Sequence, residues 1–437
     1  MRKKIFLTVW IVLLLGISFP AKSQEIQKRV ITIDDCVKIA LKNSFPARSA
    51  QENYQVAKWG FLGGWSGLLP RLDVSSIWFR YSRDILSFRL GQVISSRDRY
   101  SFNLGLTQPV FDGGANFATY NLKRSTKKAA WDDLKLAEKS VALNVKQGCY
   151  DLLKAQALYD VQIDAVGKSI EQLKMAKARY DLGAASLSDY LKAKVQLGND
   201  SLSLITYQNN VKIAEATLNS LLGLNVNTPL EVDARLEYKK LEADLEEETR
   251  KALEKHPQID KAIQEENQAH SSLTIARSGN FPDISFQGNY SWSDIKLPEI
   301  KNFRRDWDLY DSWDIGIRVS MNIFDGFLTT SKVRSAKAQL SLTKESLEQS
   351  KRDLELEIKK AYLLVKGAEQ KIQLTEDALK SAEEDLKLTQ EKYNLGAASI
   401  LELLDANVSY KTAKSNQVQA LYDYNLAIAQ FEKAIGR

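Results

Sequence analysis

The stretch RYDLGAAS at residues 179–186 decides the architecture, because it returns almost unchanged as KYNLGAAS at residues 392–399. The two copies are 213 residues apart. The tripeptide FDG shows the same separation, at residues 111–113 and 324–326. This period is far longer than the unit of a solenoid, so it indicates the duplication of a whole structural half.

Each half shows the same predicted order of elements: a helix, two strands, a long helix, a short turn and a second helix. In the first half the predicted helices span 34–67, 115–180 and 187–222, and the predicted strands span 72–81 and 100–110. In the second half the helices span 245–278, 328–393 and 400–435, and the strands span 284–292 and 313–324. We therefore predict two structural repeats, residues 24–225 with a helical hairpin at 115–222, and residues 226–437 with a helical hairpin at 328–435.

The long helices carry apolar and small residues that step alternately by four and three positions, as in packed, supercoiled helices. The seam of the second half is Leu354, Ile358, Ala361, Val365, Ala368 and Ile372, and that of the first is Val141, Val145, Gly148, Leu152, Ala155 and Tyr159. A helix of about 65 residues is about 100 Å long. Because a compact domain of this size cannot enclose such a helix, we expect an elongated molecule.

The predicted strands alternate apolar and polar residues over about ten positions, which is typical of outer-membrane strands. In one of them Trp313, Ile315 and Ile317 alternate with polar or small residues. Tryptophan and tyrosine residues gather near the strand ends, as they do at membrane–water interfaces. A soluble sheet with one face on a core alternates in the same way, so the strands alone leave a soluble sandwich open.

Residues 1–23 read as an export signal. A basic start, residues 1–4, precedes an apolar run at residues 5–19, and Ala21 and Ser23 suit cleavage before Gln24. The run is too short to span a bilayer comfortably, which disfavours the alternative of a membrane anchor. We therefore expect an exported mature chain.

Composition excludes several classes of protein. The 437 residues carry a formal charge of +6, and removal of the signal leaves about +2, so there is no overall electrostatic reason to bind nucleic acid. The chain has 2 Cys and 2 His, which excludes a Cys-based zinc site and leaves little material for His-based catalysis. His256 reads as a surface residue near a helix break, and His270 lies in a polar helix. We expect no bound metal, no cofactor and no enzymatic activity.

Strand counting predicts an oligomer. Two hairpins supply four strands, which cannot close a barrel, and an open sheet edge cannot face lipid because unpaired backbone groups are costly there. Three copies would supply about twelve strands, an even number in the known range, whereas two copies would leave little pore. The hypothesis is therefore a homotrimer.

The duplicated half, the Tyr-x-Leu-Gly turn and the Phe-Asp-Gly after the second strand resemble the TolC family of outer-membrane efflux proteins. The resemblance covers residues 24–437 and implies an α+β membrane protein. Its hairpins would build a shared trimeric 12-stranded barrel in outer-membrane lipid, and its antiparallel coiled-coil helices a periplasmic tunnel. It also implies a passive exit duct for efflux or type I secretion, with a periplasmic adaptor and an inner-membrane pump as partners. Those partners and the kind of cargo come from the resemblance alone.

The two helix turns are predicted to be capped alike. Gly183 suits the left-handed position after a helix end, and Gly396 repeats it. Ser186 is followed three residues later by Asp189, and Ser399 by Glu402, which is the spacing of a capping box.

In the resembled family these turns form the periplasmic tips, where the adaptor docks and the tunnel narrows. The adaptor-docking tips here would comprise Leu182, Gly183, Ser186, Leu395, Gly396 and Ser399. The resemblance places a ring of carboxylates from Glu402 and Asp405 at the gate, near Tyr393 and Asp189. The alternative role for Asp189 and Glu402 is helix capping. Tyr393 could bond across helices or pack in the seam. Some members brace the tip with an arginine where this chain has Ala398, so we do not expect a salt-bridged lock at that position.

Two other functions compete with the duct. A periplasmic coiled-coil adaptor or scaffold without a barrel would need one helical hairpin and soluble β domains. An exported hydrolase would need a convergent nucleophile and base. Two helical hairpins and aromatic-rich strands disfavour the first, and the poor supply of histidine disfavours the second.

Overall fold

The computed structural model describes residues 29–82, 85–86, 93–95, 97–294, 296–298 and 303–437. The predicted export signal at residues 1–23 lies outside the described residues. None of the described helices is both long enough and apolar enough to cross a membrane.

The first half follows the predicted order of elements. It opens with β1 (Arg29–Ile31), α1 (Ile33–Asn43) and α2 (Phe45–Leu62), and a 3-10 turn follows at Gly63–Trp65. A hairpin of β2 (Arg71–Arg80) and β5 (Asp98–Phe111) carries the short strands β3 (Ile85–Leu86) and β4 (Val93–Ser95) at its turn. The long helices are α3 (Ala115–Asp181) and α4 (Leu187–Leu221), of 67 and 35 residues.

The second half repeats this order. Its elements are β6 (Leu230–Val232), α5 (Leu245–Lys255), α6 (Pro257–Ser278), β7 (Asp283–Asp294), α7 (Phe303–Asp308), β8 (Asp311–Ser320), α8 (Leu328–Asn394) and α9 (Ile400–Ala434). Helices α8 and α9 have 67 and 35 residues, the same lengths as α3 and α4. The long helical hairpins are therefore the most regular part of the duplication.

The helices predicted at 34–67 and 245–278 are each broken into two. The prediction of one continuous helix at 34–67 is wrong, whereas the break within 245–278 lies at His256, where the sequence indicated one. The breaks lie at Ser44 and His256, whose ψ angles of 144° and 132° are extended. Proline lacks the N–H that a helix interior needs, and Pro46 and Pro257 follow these breaks. Each proline instead sits in the first turn of the next helix, where it is tolerated.

The strand predicted at 313–324 is also too long. Strand β8 ends at Ser320, which pairs with Asp283, the first residue of β7. Beyond that pair the neighbouring strand offers no further backbone partner, so the chain leaves the sheet.

One four-stranded antiparallel sheet contains both hairpins, in the order β2-β5-β7-β8. Directly opposed residues share a face, and one row across the sheet is Val74, Leu104, Tyr290 and Trp313. The next row, on the other face, is Asp73, Gly105, Asn289 and Asp314, where Asn289 Nδ2 donates to Asp314 Oδ2 at 3.0 Å. The alternation predicted from the sequence thus gives the sheet one apolar and one polar face.

Strand and helix meet at a corner held by an aspartate in each half. Asp112 accepts the backbone N–H of Gly114 at 3.0 Å and that of Asn116 at 2.6 Å. Asp325 Oδ2 accepts the backbone N–H of Thr329 at 2.8 Å. The FDG motif therefore begins a helix, as the sequence indicated, because a carboxylate satisfies donors that lack partners in the first turn.

The helical seams form the cores. All six predicted seam residues of α8, from Leu354 to Ile372, are buried in one cluster with Tyr424 and Phe431 of α9. Of the predicted α3 seam, Val141, Val145 and Leu152 are buried in a second cluster with α1 and Leu218 of α4. Gly148 and Ala155 are buried outside that cluster, and Tyr159 is only half buried. Parallel pairing of β1 with β6 ties the first described residues to the beginning of the second half.

The helices pack side by side in two helical layers, one near the sheet and one near the tips of the hairpins. Near the sheet α2 packs on α3, α3 on α6, and α6 on α8. Near the tips α4 packs on α3, α3 on α9, and α9 on α8. Both layers therefore begin with a helix of the first half and end with α8.

Candidate functional site at the tips of the helical hairpins

The tip of the first hairpin is a tight left-handed turn. Gly183 has φ +75°, and its N–H donates to Tyr180 O at 2.9 Å. The N–H of Ala184 donates to Arg179 O at 2.8 Å. These two bonds form a Schellman motif, which ends α3 by satisfying carbonyls that would otherwise lack donors.

The tip of the second hairpin has the same backbone. Gly396 has φ +79°, and its N–H donates to Tyr393 O at 3.0 Å. The N–H of Ala397 donates to Lys392 O at 2.8 Å. The repeated motif therefore specifies the same turn twice.

Both capping boxes predicted from the sequence are confirmed. Asp189 N donates to Ser186 Oγ at 3.2 Å, and Ser186 N donates in return to Asp189 Oδ2 at 3.2 Å. Glu402 N donates to Ser399 Oγ at 3.3 Å, and Ser399 N donates to Glu402 Oε2 at 2.9 Å. Asp189 and Glu402 thus start α4 and α9, whatever else they do.

Each tip exposes a leucine immediately before its glycine. Leu182 is 83% exposed and Leu395 is 85% exposed. Solvent-facing leucines at the far end of both hairpins give the tips a small apolar surface.

The tyrosines of the two turns stand in different surroundings. Tyr180 is 40% exposed and stacks on Tyr190, with ring centroids 6.2 Å apart. Tyr393 is 3% exposed and packs with Ile400 and Leu403 in a small core at the tip. Burial raises the pKa of the Tyr393 hydroxyl. Of the two roles left open for Tyr393, packing is the one observed.

Arg179 of the first hairpin braces the second tip, and sequence analysis missed this contact. Its guanidinium lies 4.3 Å from the centroid of the Tyr393 ring. Its Nη2 donates to the backbone oxygen of Tyr393, and to that of Asn394 at 3.0 Å. The only signal in the sequence is that arginine precedes the first tyrosine where Lys392 precedes the second. The bracing cation comes from the other hairpin, rather than from the position of Ala398.

The two predicted gate carboxylates lie on the exposed surface of α9. Glu402 and Asp405 are one helical turn apart and both side chains face solvent in the single chain. Glu402 also closes the capping box, so capping does not remove its carboxylate from the surface.

A buried polar cluster lies above the tips, between α3, α4 and α9, and sequence analysis missed it too. Asp200 is buried and accepts from Ser169 Oγ at 2.6 Å, Gln196 Nε2 at 2.9 Å and Lys411 Nζ at 2.9 Å. Burial opposes ionisation, but these hydrogen bonds outweigh it and hold the pKa of Asp200 below its usual value. The cluster joins the two hairpins by charge-assisted bonds.

The histidines do not build a site. His270 is exposed, but the interpretation of His256 as a surface residue is wrong, since its side chain is 5% exposed and burial lowers its pKa. Its Nδ1 accepts the N–H of Gln258 at 3.3 Å, so it caps α6. Within the described part of the chain, three or more His, Cys, Asp or Glu side chains nowhere gather as metal ligands.

Comparison with known proteins identifies the family of this chain. The sequence model of the outer membrane efflux protein family matches residues 46–224 and 249–437. The chain belongs to this family. It is therefore an outer-membrane exit duct for efflux or secretion that extends into the periplasm, and the competing adaptor or scaffold is not favoured.

Individual relatives agree with the family. The chain is 23% identical to the outer membrane protein TolC of Vibrio cholerae over 386 residues, which is 85% of this chain and 83% of that protein. It is 25% identical over 188 residues to the alkaline protease secretion protein AprF of Pseudomonas aeruginosa, covering 42% of this chain and 39% of that protein. The CmeC outer membrane channel of Campylobacter jejuni has the same fold, with a TM-score of 0.82 and 20% identity over 92% of this chain and 85% of that one. The α+β fold with long paired helices is thereby confirmed.

Proposed function

We propose that three copies of this chain close into one cylinder, a barrel in the outer membrane continued by a helical tunnel. The proposal rests on one observation: in the ranges that the structure describes, the sheet and both helical layers each end in an unpartnered element on either side. Among the described residues, β2 and β8 each have a strand neighbour on one side only. The helical layers likewise end in α2 or α4 on one side and in α8 on the other.

The open edges are apolar where a neighbouring copy would lie. Helix α4 exposes Leu191, Val195, Leu202 and Ile205, α2 exposes Val56, Trp59 and Leu62, and α8 exposes Leu342, Leu356, Leu363 and Leu374. Exposed apolar stripes of this extent mark interaction surfaces. The β2, α2 and α4 edges of one copy would meet the β8 and α8 edges of the next, which repeats around a ring.

The two faces of the sheet support a lipid-facing barrel with a wet interior. On the apolar face, Trp313, Ile315 and Ile317 of β8 are all exposed in the single chain and would contact outer-membrane lipid. On the other face polar side chains bond along the sheet, as Ser291 does with Ser312 at 2.9 Å. Three copies would give about twelve strands, wide enough for a polar lumen.

The partners, the absence of catalysis and the boundary between the repeats are proposed on the basis of this duct. We propose that the tips, with exposed Leu182 and Leu395, receive a periplasmic adaptor, and that an inner-membrane pump supplies the energy. We also propose that the chain itself catalyses no reaction and binds no nucleic acid, because its role is a passive path. The repeated order of elements supports a boundary between two structural repeats at residues 225 and 226.

The trimer is tested on the full chain purified from outer membranes in detergent. We expect a mass of three chains before heating, one chain after heating, and stepwise conductance in planar bilayers. A monomer that needs no detergent would contradict the proposal.

We propose further that Glu402 and Asp405 line the narrow end of the tunnel. Three copies would bring six carboxylates near one axis, which attracts cations and repels anions. The double variant Glu402→Gln with Asp405→Asn removes these charges, and glutamine retains an oxygen that can accept the N–H of Ser399. We expect half-block by a trivalent cation to need at least about tenfold more cation than in the wild type.

The matched control for this variant is Asp189→Asn, which removes a carboxylate from the other tip. Its block should stay within about twofold of the wild type, because this variant keeps the six carboxylates of Glu402 and Asp405 that are proposed to line the gate. Unchanged block in the double variant would remove the gate assignment and leave the duct intact.

A further inference from the structure

The two cysteines of the chain lie in the same core cluster. Cys36 is on α1 and Cys149 is in the middle of α3, and each is 0% exposed. They share this cluster with Val145, Leu152 and Leu218. The fold therefore brings together the only thiols of the protein, which are 113 positions apart in the sequence.

The two thiols adjoin inside this cluster, and neither is part of a disulfide in this structure. The neighbouring Cys36, together with burial, raises the pKa of the Cys149 thiol, whereas the neighbouring Cys149 lowers the pKa of the Cys36 thiol. Because neither side chain is exposed, exchange with outside reagents is slow in the folded protein.

We propose that Cys36 and Cys149 are joined by an intrachain disulfide in the exported protein. Disulfides form and persist in the bacterial periplasm, through which an outer-membrane protein passes. Paired, adjoining cysteines in that compartment meet an oxidising environment before burial protects them. The inference rests on the outer-membrane location and on this contact, and does not depend on the trimer.

The bond would fasten the first helix to the long helical hairpin. The loop that it closes contains α2, the hairpin of β2 and β5, and the first half of α3. Long closed loops lose much conformational freedom in the unfolded chain, which favours the folded state. The second half has Tyr362 at the position that corresponds to Cys149, so the cross-link is confined to the first half.

The oxidant is a protein disulfide of the thiol-oxidase class. The thiolate of one cysteine attacks that disulfide, and one oxidant sulfur leaves and takes up a proton. The second cysteine, as thiolate, then attacks the mixed disulfide and releases the other oxidant sulfur. The chain loses two hydrogen atoms in total, and the oxidant disulfide becomes a dithiol.

The test counts thiols in the full chain purified from outer membranes. The protein is denatured and treated with a maleimide-linked polymer, with and without prior reduction. We expect no added polymer without reduction and two polymers per chain after it. Two polymers without reduction, or a cross-linked pair of chains on a non-reducing gel, would overturn the proposal.

Two variants control the assay and test the consequence. Cys36→Ala leaves one unpaired thiol and should take up one polymer without reduction. Reduction should lower the melting temperature of the wild type but leave that of the double variant Cys36→Ala with Cys149→Ala unchanged. An equal response in both proteins would overturn the stabilising role of the bond.

Discussion

The tips of the two hairpins have one backbone and two environments. In the first, Tyr180 lies at the surface beside Tyr190; in the second, Tyr393 is enclosed by its own tip and by Arg179 of the other hairpin. The turn geometry is set by eight neighbouring residues, which the duplication copied. The enclosure depends on which helix lies alongside, and that is where the halves diverge.

The largest difference between the halves is expected at the strand-to-helix corners. Gly113 and Gly326 both have positive φ, +67° and +65°. A Cβ on Gly113 would lie 2.9 Å from Cα of Ser278, whereas a Cβ on Gly326 would meet nothing within 4 Å. We expect Gly113→Ala to lower the free energy of unfolding by about 3–4 kcal/mol, from strain and overpacking together.

The matched variant Gly326→Ala should lose only about 1–2 kcal/mol, since it adds backbone strain without a clash. Urea titration in detergent compares the two. Equal losses would mean that the corners are packed alike.

The next largest effect is expected at the brace. Arg179→Ala removes hydrogen bonds to two carbonyls and a cation–π contact with Tyr393, and should cost about 1–2 kcal/mol. The exposed Lys392 occupies the equivalent place on the other hairpin, and Lys392→Ala should change stability by less than about 0.5 kcal/mol. Melting temperatures of the two variants provide the measurement. A similar loss in both would show that the brace is not specific to one tip.

The caps should respond alike in both halves. Ser186→Ala and Ser399→Ala each remove one capping hydroxyl from the same geometry, and each should cost about 1 kcal/mol. Thermal unfolding of the two variants side by side checks this. A clear difference between them would reveal tertiary support for one of the caps.

The smallest effect is expected from pH, because only one imidazole is involved. Ser44 and His256 occupy corresponding helix junctions, and burial lowers the pKa of His256. The unfolded chain therefore binds a proton more readily, so stability should fall as the pH drops below about 6.5 and level off below the folded-state pKa. His256→Ser places the residue of the first half at this junction and should reduce the dependence of the free energy of unfolding on pH between pH 7.5 and 5, as measured by urea titration at each pH. An unchanged dependence would mean that other titrating groups cause it.

The sequence predicted the secondary-structure elements far better than the contacts between them. Seam residues such as Leu354 and Ile358, and caps such as Ser399, were recognised because helix periodicity and capping are local patterns. The contacts of Arg179 with Tyr393 and of Lys411 with Asp200 join residues more than 200 positions apart. Local patterns carry no information about such pairs. His256 was misjudged for the same reason, because its burial depends on distant helices.

By itself, the sequence determined the duplication, the paired helices, the capped turns and the two-faced strands, since each follows from spacing along the chain. Tertiary structure alone decided that both hairpins share one sheet, that one tyrosine is enclosed while its copy is exposed, and that the cysteines adjoin. The physical reason is that periodicity specifies which face of an element is apolar, whereas the partner of that face is chosen by packing the whole chain.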